Sequence, residues 1–384
     1  MKALSINQLA FLGRFSLVLI SACIFDSSLW GQSWPMFRGS QEQTGFYRGT
    51  LPQQLEPLWT FEIQEGIEST AAIVAGTVYI GGLNGVLYAL DLATGIPRWT
   101  FQASDEIRSS PLVLNDTVFF GDEAGNFFAV KAPNGQQKWV FAAGAGITSS
   151  ANWFEDKVIF GSYDNFVYCL SAIDGTLKWR HETEGYVHGT PTVTGGKAVV
   201  TGCDGFLRLI SIQDGSEVLK MNLGSYIGAS AAVTGNELFV GTFDDRVMAV
   251  DIQKSELLWV YQNPKRSFPF YSSPAVTENL VVIGGRDKRV HAIDRVTGEE
   301  RWTFLAKSKV DASPVIAGDR VFVADTRGLM VELNLNTGQP VWYFDINGGV
   351  QASPSIAEEK LIIGSLTGTL YCFGSQPSKN ISPH

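Results

Sequence analysis

The stretch ALDLATGIPRW, Ala89 to Trp99, runs through alternating apolar residues to Asp91, turns at Thr94-Gly95, and resumes with Trp99 four residues later. It returns as AIDRVTGEERW ending at Trp302, LNLNTGQPVW ending at Trp342 and SAIDGTLKW ending at Trp179. With the Trp as marker, the series is Trp59, Trp99, Trp139, Trp179, Leu219, Trp259, Trp302 and Trp342, spaced by 40 residues except for 43 between Trp259 and Trp302. A second series keeps the same phase: Ser69, Ser109, Ser149, Gly189, Ala229, Ser272, Ala312 and Ala352 each open a short segment such as SSPLV or ASPVI. Two landmarks in phase over eight units make an internal repeat.

Within a unit the two landmarks are separated by a Val/Ile-rich run, an Asp/Asn/Gly turn and a second apolar run, TVYIGG, LNG and VLYALD in the first. Each unit therefore reads as four short antiparallel strands separated by turn signals. Four-stranded units of this length arranged radially make a β-propeller. A β-helix needs a much shorter period, and a helical solenoid needs a 3.6-residue pattern that is absent. The chain enters on a lone Trp59 strand and, after Trp342, makes three strands with no Trp strand to follow. The expected fold is all-β, an eight-bladed β-propeller of four-stranded antiparallel blades over 57–373, with the N-terminal strand completing the C-terminal blade and leaving no blade open. Pro111, Pro191, Pro274, Pro314 and Pro354 fall in the first strand of their units. Proline has no N–H for a ladder, so this strand should be the innermost edge, facing the channel.

The recurring Trp residues are read as docking side chains between blades. Each indole buries about 150–250 Å², a gross contribution of about 4–6 kcal/mol at about 25 cal/mol per Å². Leu219 breaks the series, so the blade 4 junction should be the weakest. Ser255 stands where Gly95, Gly135 and Gly175 turn, so blade 5 needs another turn or accepts strain.

Residues 1–33 read as an export signal: Lys2 and Arg14 precede an apolar core from Phe15 to Phe25, too short to span a bilayer. Ile20-Ser21-Ala22-Cys23 has the form of a bacterial lipobox, which implies cleavage after Ala22 and a lipid on Cys23. The competing reading is an ordinary cut after Gly31-Gln32-Ser33. On either reading the mature chain is exported, to the periplasm, the outer membrane or the exterior, and meets a membrane only through a lipid anchor. Residues 34–56 are expected to be an irregular lead-in packed on the outside of the body, and 374–384 a disordered tail.

The formal net charge of −9 argues against nucleic acid as a partner. Cys23, Cys169, Cys203 and Cys372 show no CxxC spacing, and Cys169 and Cys372 occupy a slot filled by Ala89, Ala129, Ala249 and Ala292 in other units, the pattern of small packing residues.

The AxDxxTGxxxW unit, matched at Ala89, Asp91, Thr94, Gly95, Trp99 and again at Ala292, Asp294, Thr297, Gly298, Trp302, resembles the tryptophan-docking motif of the pyrroloquinoline quinone (PQQ) repeat propellers. That family holds PQQ-dependent alcohol dehydrogenases and a non-enzymatic, BamB-like branch that serves outer-membrane protein assembly. The resemblance implies the fold over about residues 57–373. The dehydrogenases it brings to mind cover their quinone with a disulfide between adjacent cysteines, beside a Ca²⁺, in pockets built from long insertions. This chain has no adjacent Cys pair, and its only insertion is three residues near Asn263 to Tyr271. No catalytic residue, cofactor or metal is therefore assigned. The expected function is a non-catalytic scaffold for an envelope protein partner. A PQQ-dependent oxidoreductase and a propeller binding a glycan or small molecule are the alternatives.

Other constellations are weak. His181 and His188 with Glu182 and Glu184 form a small cluster whose ordinary reading is a solvated loop, and Asp164, Asp204, Asp244 and Asp245 suit turn-capping. Positions that vary between units are free to make a site. The residue before each first strand runs Glu68, Arg108, Thr148, His188, Gly228, Tyr271, Asp311, Gln351, and these should gather at one mouth of the channel. The turns between second and third strands add Arg286, Asp287, Lys288, Arg289 and Arg327. The inserted loop adds Lys265, Arg266, Phe268 and Phe270, expected as exposed aromatics beside basic groups. A basic face over blades 5–7 is the candidate binding surface.

Overall fold

The structure, a computed structural model, describes residues 33–263 and 267–376. Eight antiparallel sheets follow one another around a channel, and no helix occurs among the described residues. Blade 1 is made of Ala72–Val74, Thr77–Gly81, Val86–Asp91 and Pro97–Gln102, numbered outward from the channel. Blades 2 to 7 repeat this order. Blade 8 takes Ser355–Ala357, Lys360–Gly364 and Thr369–Gly374 from the end of the chain and Glu56–Glu62 from its beginning. Trp59 lies opposite Cys372 and Glu62 opposite Thr369, so the ring closes through a noncovalent strand pair. The second and third strands of each blade are mostly buried, while the outermost alternate between half-buried and exposed faces.

The Trp series lies on the outermost strands, each residue at or beside a β-bulge. Six indoles donate to a backbone carbonyl of the next blade: Trp59 to Leu92, Trp99 to Ala132, Trp139 to Ala172, Trp179 to Ile212, Trp259 to Arg295 and Trp302 to Leu335, at 2.8–3.4 Å. The same contact explains the turn glycine. A Cβ on Gly135, at φ +71°, would stand 2.5 Å from the Trp99 ring, and one on Gly95 would stand 2.7 Å from Trp59. Glycine is needed there for the left-handed backbone and for the indole. Where the indole is replaced by Leu219, the facing turn carries Ser255 at φ +60°. The two exceptions are thus opposite sides of one junction, and the turn keeps its shape by accepting a left-handed serine. In six blades the residue paired with the Trp is small, Ala89, Ala129, Cys169, Ala249, Ala292 or Cys372, while in blade 7 Trp342 pairs with Glu332. Burial pushes the Cys169 and Cys372 thiols up to about 12, as suits packing residues.

The lead-in departs from expectation. It is not packed on the outside but runs through one end of the channel, past the inner strands of successive blades. Its carbonyls accept from inner-strand amides: Trp34 from Ile73, Pro35 from Val113, Gln41 from Val193, Glu42 from Val233, Thr44 from Val276 and Gly45 from Ile316, at 2.7–2.9 Å. Phe46–Tyr47 then pairs in parallel with the inner strand Val315–Ala317, giving blade 7 a fifth strand. The physical reason is the inner edge itself. Each first strand has a row of N–H groups with no strand beyond it, and a buried amide needs an acceptor. At blade 3 the side chain of Asn152 accepts from the amide of Trp153 at 2.8 Å. Trp34, Met36, Arg38 and Gln43 are buried in this plug.

Candidate binding site at the channel mouth

With the plug closing one end, the other end is a blind cavity of about 390 Å³ reached by Phe37 of the plug. Two tiers of side chains line it. The lower tier is Thr70, Ser110, Ser150, Thr190, Ser230, Ser273, Ser313 and Ser353, one from each blade. The backbone N–H of each donates to the hydroxyl of the next, and Ser353 donates to Thr70, closing a ring of eight hydrogen bonds at 2.8–3.2 Å. The ring locks the inner ends of the blades to one another. Each oxygen keeps a lone pair and a proton for the cavity.

The upper tier is the variable series. Glu68, Arg108, Thr148, His188, Gly228, Tyr271, Asp311 and Gln351 all line the cavity. Arg108 lies among three carboxylates: it pairs with Glu68, lies 2.6 Å from Glu106 and 3.9 Å from Glu123. Burial raises the Glu123 carboxyl, opposed by the Thr148 hydroxyl that donates to it at 2.8 Å. His188 has both ring nitrogens engaged, Nδ1 with the Tyr163 hydroxyl at 2.6 Å and Nε2 with that of Tyr271 at 3.1 Å. Burial lowers its pKa, outweighing the pull of Glu68, so the imidazole is held toward its neutral form. Tyr271 is pushed up to about 12, chiefly by burial. Arg286 binds Asp311 through two nitrogens at 2.9 and 3.1 Å and stacks 4.5 Å from the centre of the Tyr271 ring.

A groove of about 570 Å³ continues from the cavity across blades 3 to 5. It shares Tyr163, His188, Gly228 and Tyr271 with the cavity and adds Tyr186, Cys203, Tyr226 and Phe243. Tyr186 is 55% exposed and Tyr226 65% exposed, with Phe243 partly exposed beside them. Tyr163 and Tyr186 stack with centroids 5.1 Å apart.

The expected basic face over blades 5–7 is corrected at one residue, Phe270, which is not exposed. Phe270 is buried against Tyr261 and His291, because it fills the slot of Ile107, Ile147 and Val187. Arg286 is neutralised by Asp311, and Arg289 donates to Thr303. Phe268, Lys288 and Arg327 are exposed, while Lys265 and Arg266 lie outside the described residues, as does Cys23. His181 and His188 do not come together: His181 lies on an outer strand, 3.5 Å from Glu217. Asp164 and Asp204 cap their turns through the amides of Phe166 and Phe206.

The sequence reading missed the aromatic groove and the carboxylate Glu123. Its signal was the repeat itself. Glu123, Tyr163, Cys203, Phe243 and Arg286 fill one variable slot, and Glu106, Tyr186, Tyr226 and Pro269 fill another. The amide of each residue in the first slot donates to the carbonyl of its counterpart in the second or, at Tyr163, to that of Gly146. Every blade thus offers three variable positions to one mouth.

Comparison with known proteins agrees with this architecture. The family model for Outer membrane protein assembly factor BamB matches residues 52–161, 144–261, 205–302 and 286–376. The chain belongs to that family. Among solved structures it is similar to BamB from Moraxella catarrhalis, with 19% identity and a TM-score of 0.73 over 86% of this chain and 100% of that one. It is equally similar to the computationally designed Ika8 protein, with 19% identity and a TM-score of 0.75 over 83% of this chain and 100% of that one. The quinohemoprotein alcohol dehydrogenase ADHIIG from Pseudomonas putida HK5 shares the fold at 14% identity and a TM-score of 0.74, over 92% of this chain and 82% of that one. No curated protein sequence matches the chain. The PQQ-repeat, BamB-like propeller read from the Trp series is therefore the fold, and a fold shared by an assembly factor and by dehydrogenases leaves the activity to the site.

Proposed function

We propose that the protein is an exported, non-catalytic binding propeller that captures an envelope protein partner at the mouth of its channel. The observation that carries this reading is the groove. Three accessible aromatic side chains, Tyr186, Tyr226 and Phe243, gather at positions where the blades are free to differ, beside a blind polar cavity. Exposed aromatics in a concave, otherwise polar surface are the usual anchors of protein interfaces. Membership in a family described by an assembly factor supports a protein partner and an exported location.

Against a quinoprotein stands the chemistry of the donors. Glu68 pairs with Arg108 and Asp311 with Arg286, so two of the three carboxylates lining the cavity are committed to guanidinium partners, and Glu123 does not converge with either on one point. Among the described residues, no three His, Cys, Asp or Glu side chains converge to hold a metal ion. Cys203 is the cysteine at the mouth, and Cys169 and Cys372 are buried in separate blades. These residues do not fit a quinone with a divalent cation, and no step is derived through one.

The test compares affinity capture from isotope-labelled envelope extracts by the native protein and by a Tyr186→Ser/Tyr226→Ser variant with an unchanged melting temperature. A defined set of envelope proteins should fall at least tenfold with the variant. Equal recovery, or dye-linked alcohol oxidation on adding PQQ and Ca²⁺, contradicts the proposal.

A further inference from the structure

The mouth carries an imbalance of charge that its own residues do not resolve. Among the described residues that line the cavity, Glu68, Glu123 and Asp311 are acidic; Arg108 pairs with Glu68, and Arg286 beside the cavity pairs with Asp311. One negative charge of the lining is left without a cation of its own, that of Glu123, 3.9 Å from the Arg108 guanidinium that Glu68 already holds. His188 is held toward its neutral form by burial, with its two ring nitrogens engaged by the Tyr163 and Tyr271 hydroxyls. Crowded carboxylates at the wall of a blind cavity repel one another, and an entering cation relieves that repulsion.

The walls suit a cation in two further respects. The hydroxyl oxygens of the lower ring, each accepting one backbone N–H, retain a lone pair for an ammonium or guanidinium donor. The tyrosines present ring faces, and Arg286 already uses one of them, stacked on Tyr271.

We infer that the occupant is an extended segment of the protein partner, whose Lys or Arg side chain enters the cavity beside Glu68 and Glu123 while a neighbouring apolar side chain lies on Tyr186, Tyr226 and Phe243. The inference rests on the proposed function and names the chemistry of the partner at that same site. Charge complementarity decides between occupants. A neutral glycan would leave the Glu123 charge unmatched, and an acidic segment would add to it. The groove, open and aromatic, suits a side chain next to the basic one, because alternate residues of an extended segment point to opposite faces.

The experiment measures fluorescence anisotropy of three labelled peptides, Ac-Ala-Phe-Lys-Phe-Ala-NH₂ and its Lys→Gln and Lys→Glu forms, with the full chain. The Lys peptide should bind at least tenfold more tightly than the Gln form, and the Glu form more weakly still. Glu123→Gln should erase most of the difference between the Lys and Gln peptides. Tyr226→Ala should weaken both about tenfold. Melting curves of the two variants establish that they fold. Equal affinity for all three peptides overturns the inference, as does a neutral oligosaccharide such as cellohexaose binding the mouth more tightly than the Lys peptide. If the peptides fail this test but envelope capture still depends on Tyr186 and Tyr226, the partner has another chemistry and the proposed function stands. If capture is lost as a criterion as well, both fall.

Discussion

At the scale of the residue, the blade junctions depend on a pair of choices made on facing sheets. An indole on one blade demands a glycine on the next, since a Cβ at Gly135 would meet Trp99 at 2.5 Å. Gly135→Ala should therefore destabilise the protein by at least about 1–2 kcal/mol, from left-handed strain and overpacking together, measured by urea unfolding. The junction of Leu219 and Ser255 offers the converse. Leu219→Trp alone should be neutral or destabilising, and Leu219→Trp with Ser255→Gly should stabilise, with a coupling of about 1 kcal/mol or more in a double-mutant cycle. Additive effects would show that the two exceptions are unrelated. Both exceptions were legible in the repeat as single oddities. Their connection was not, because it runs between sheets and only the packed structure brings the two residues face to face.

The turn aspartates carry a pH dependence at the same scale. Asp294 accepts from the amides of Val296 and Thr297 at 3.0 and 2.8 Å and from Arg301 at 2.6 Å. These hydrogen bonds, the Thr297 amide foremost, lower its pKa to about 2. The folded value lies below the usual value of about 3.9, so the ionised form contributes stability above that pH, and the contribution is lost as pH falls toward 2. Asp294→Asn should lower stability at pH 7 by about 1 kcal/mol, after allowance for solvent screening. Near pH 2 the variant and the native protein should melt together. A difference that persists unchanged at pH 2 contradicts this origin.

At the scale of the element, the segment from Trp34 to Tyr47 does what an extra set of strands would do. It gives the inner edges of six blades an acceptor, with carbonyls at 2.7–2.9 Å from their amides. A chain beginning at Arg48 should show hydrogen exchange at Ile73, Val113, Val193, Val233, Val276 and Ile316 faster by at least about a hundredfold, with second-strand amides of the same blades still protected. Equal protection would mean that the segment only lies over the channel. The four strands of each blade were legible because alternation, turn residues and Trp recur with a fixed period. The plug was not, because it has no period, binds through backbone carbonyls that leave no mark on composition, and meets partners as far away as Ile316.

At the scale of the whole molecule, the ring and its function are separable. The shared positions, Trp on the outer strand, Gly in the turn and Ser or Thr on the channel, close eight sheets into a circle. The differing positions then share one mouth. The sequence placed the eight variable residues that precede the innermost strands, from Glu68 to Gln351, and all eight line the cavity. It did not show that Asp311 pairs with Arg286 or that Phe270 turns inward, because local charge in a sequence says nothing of the partner across the channel. Export belongs to this scale as well. The intact mass of the chain recovered from its native envelope should correspond to loss of at least the first 22 residues, and a full-length mass would contradict export by signal cleavage.

On the proposed function, the aromatic mouth, and not the outer rim of the blades, receives the protein partner. Photocrosslinking in the living cell tests it most directly, with the reactive residue at position 226 in the groove or at position 140, where Val140 is exposed on an outer strand. The account predicts a discrete adduct with an envelope protein from position 226, diminished by Tyr186→Ser, and none from position 140. Adducts from position 140 alone, or none from position 226 in the native host, would contradict it.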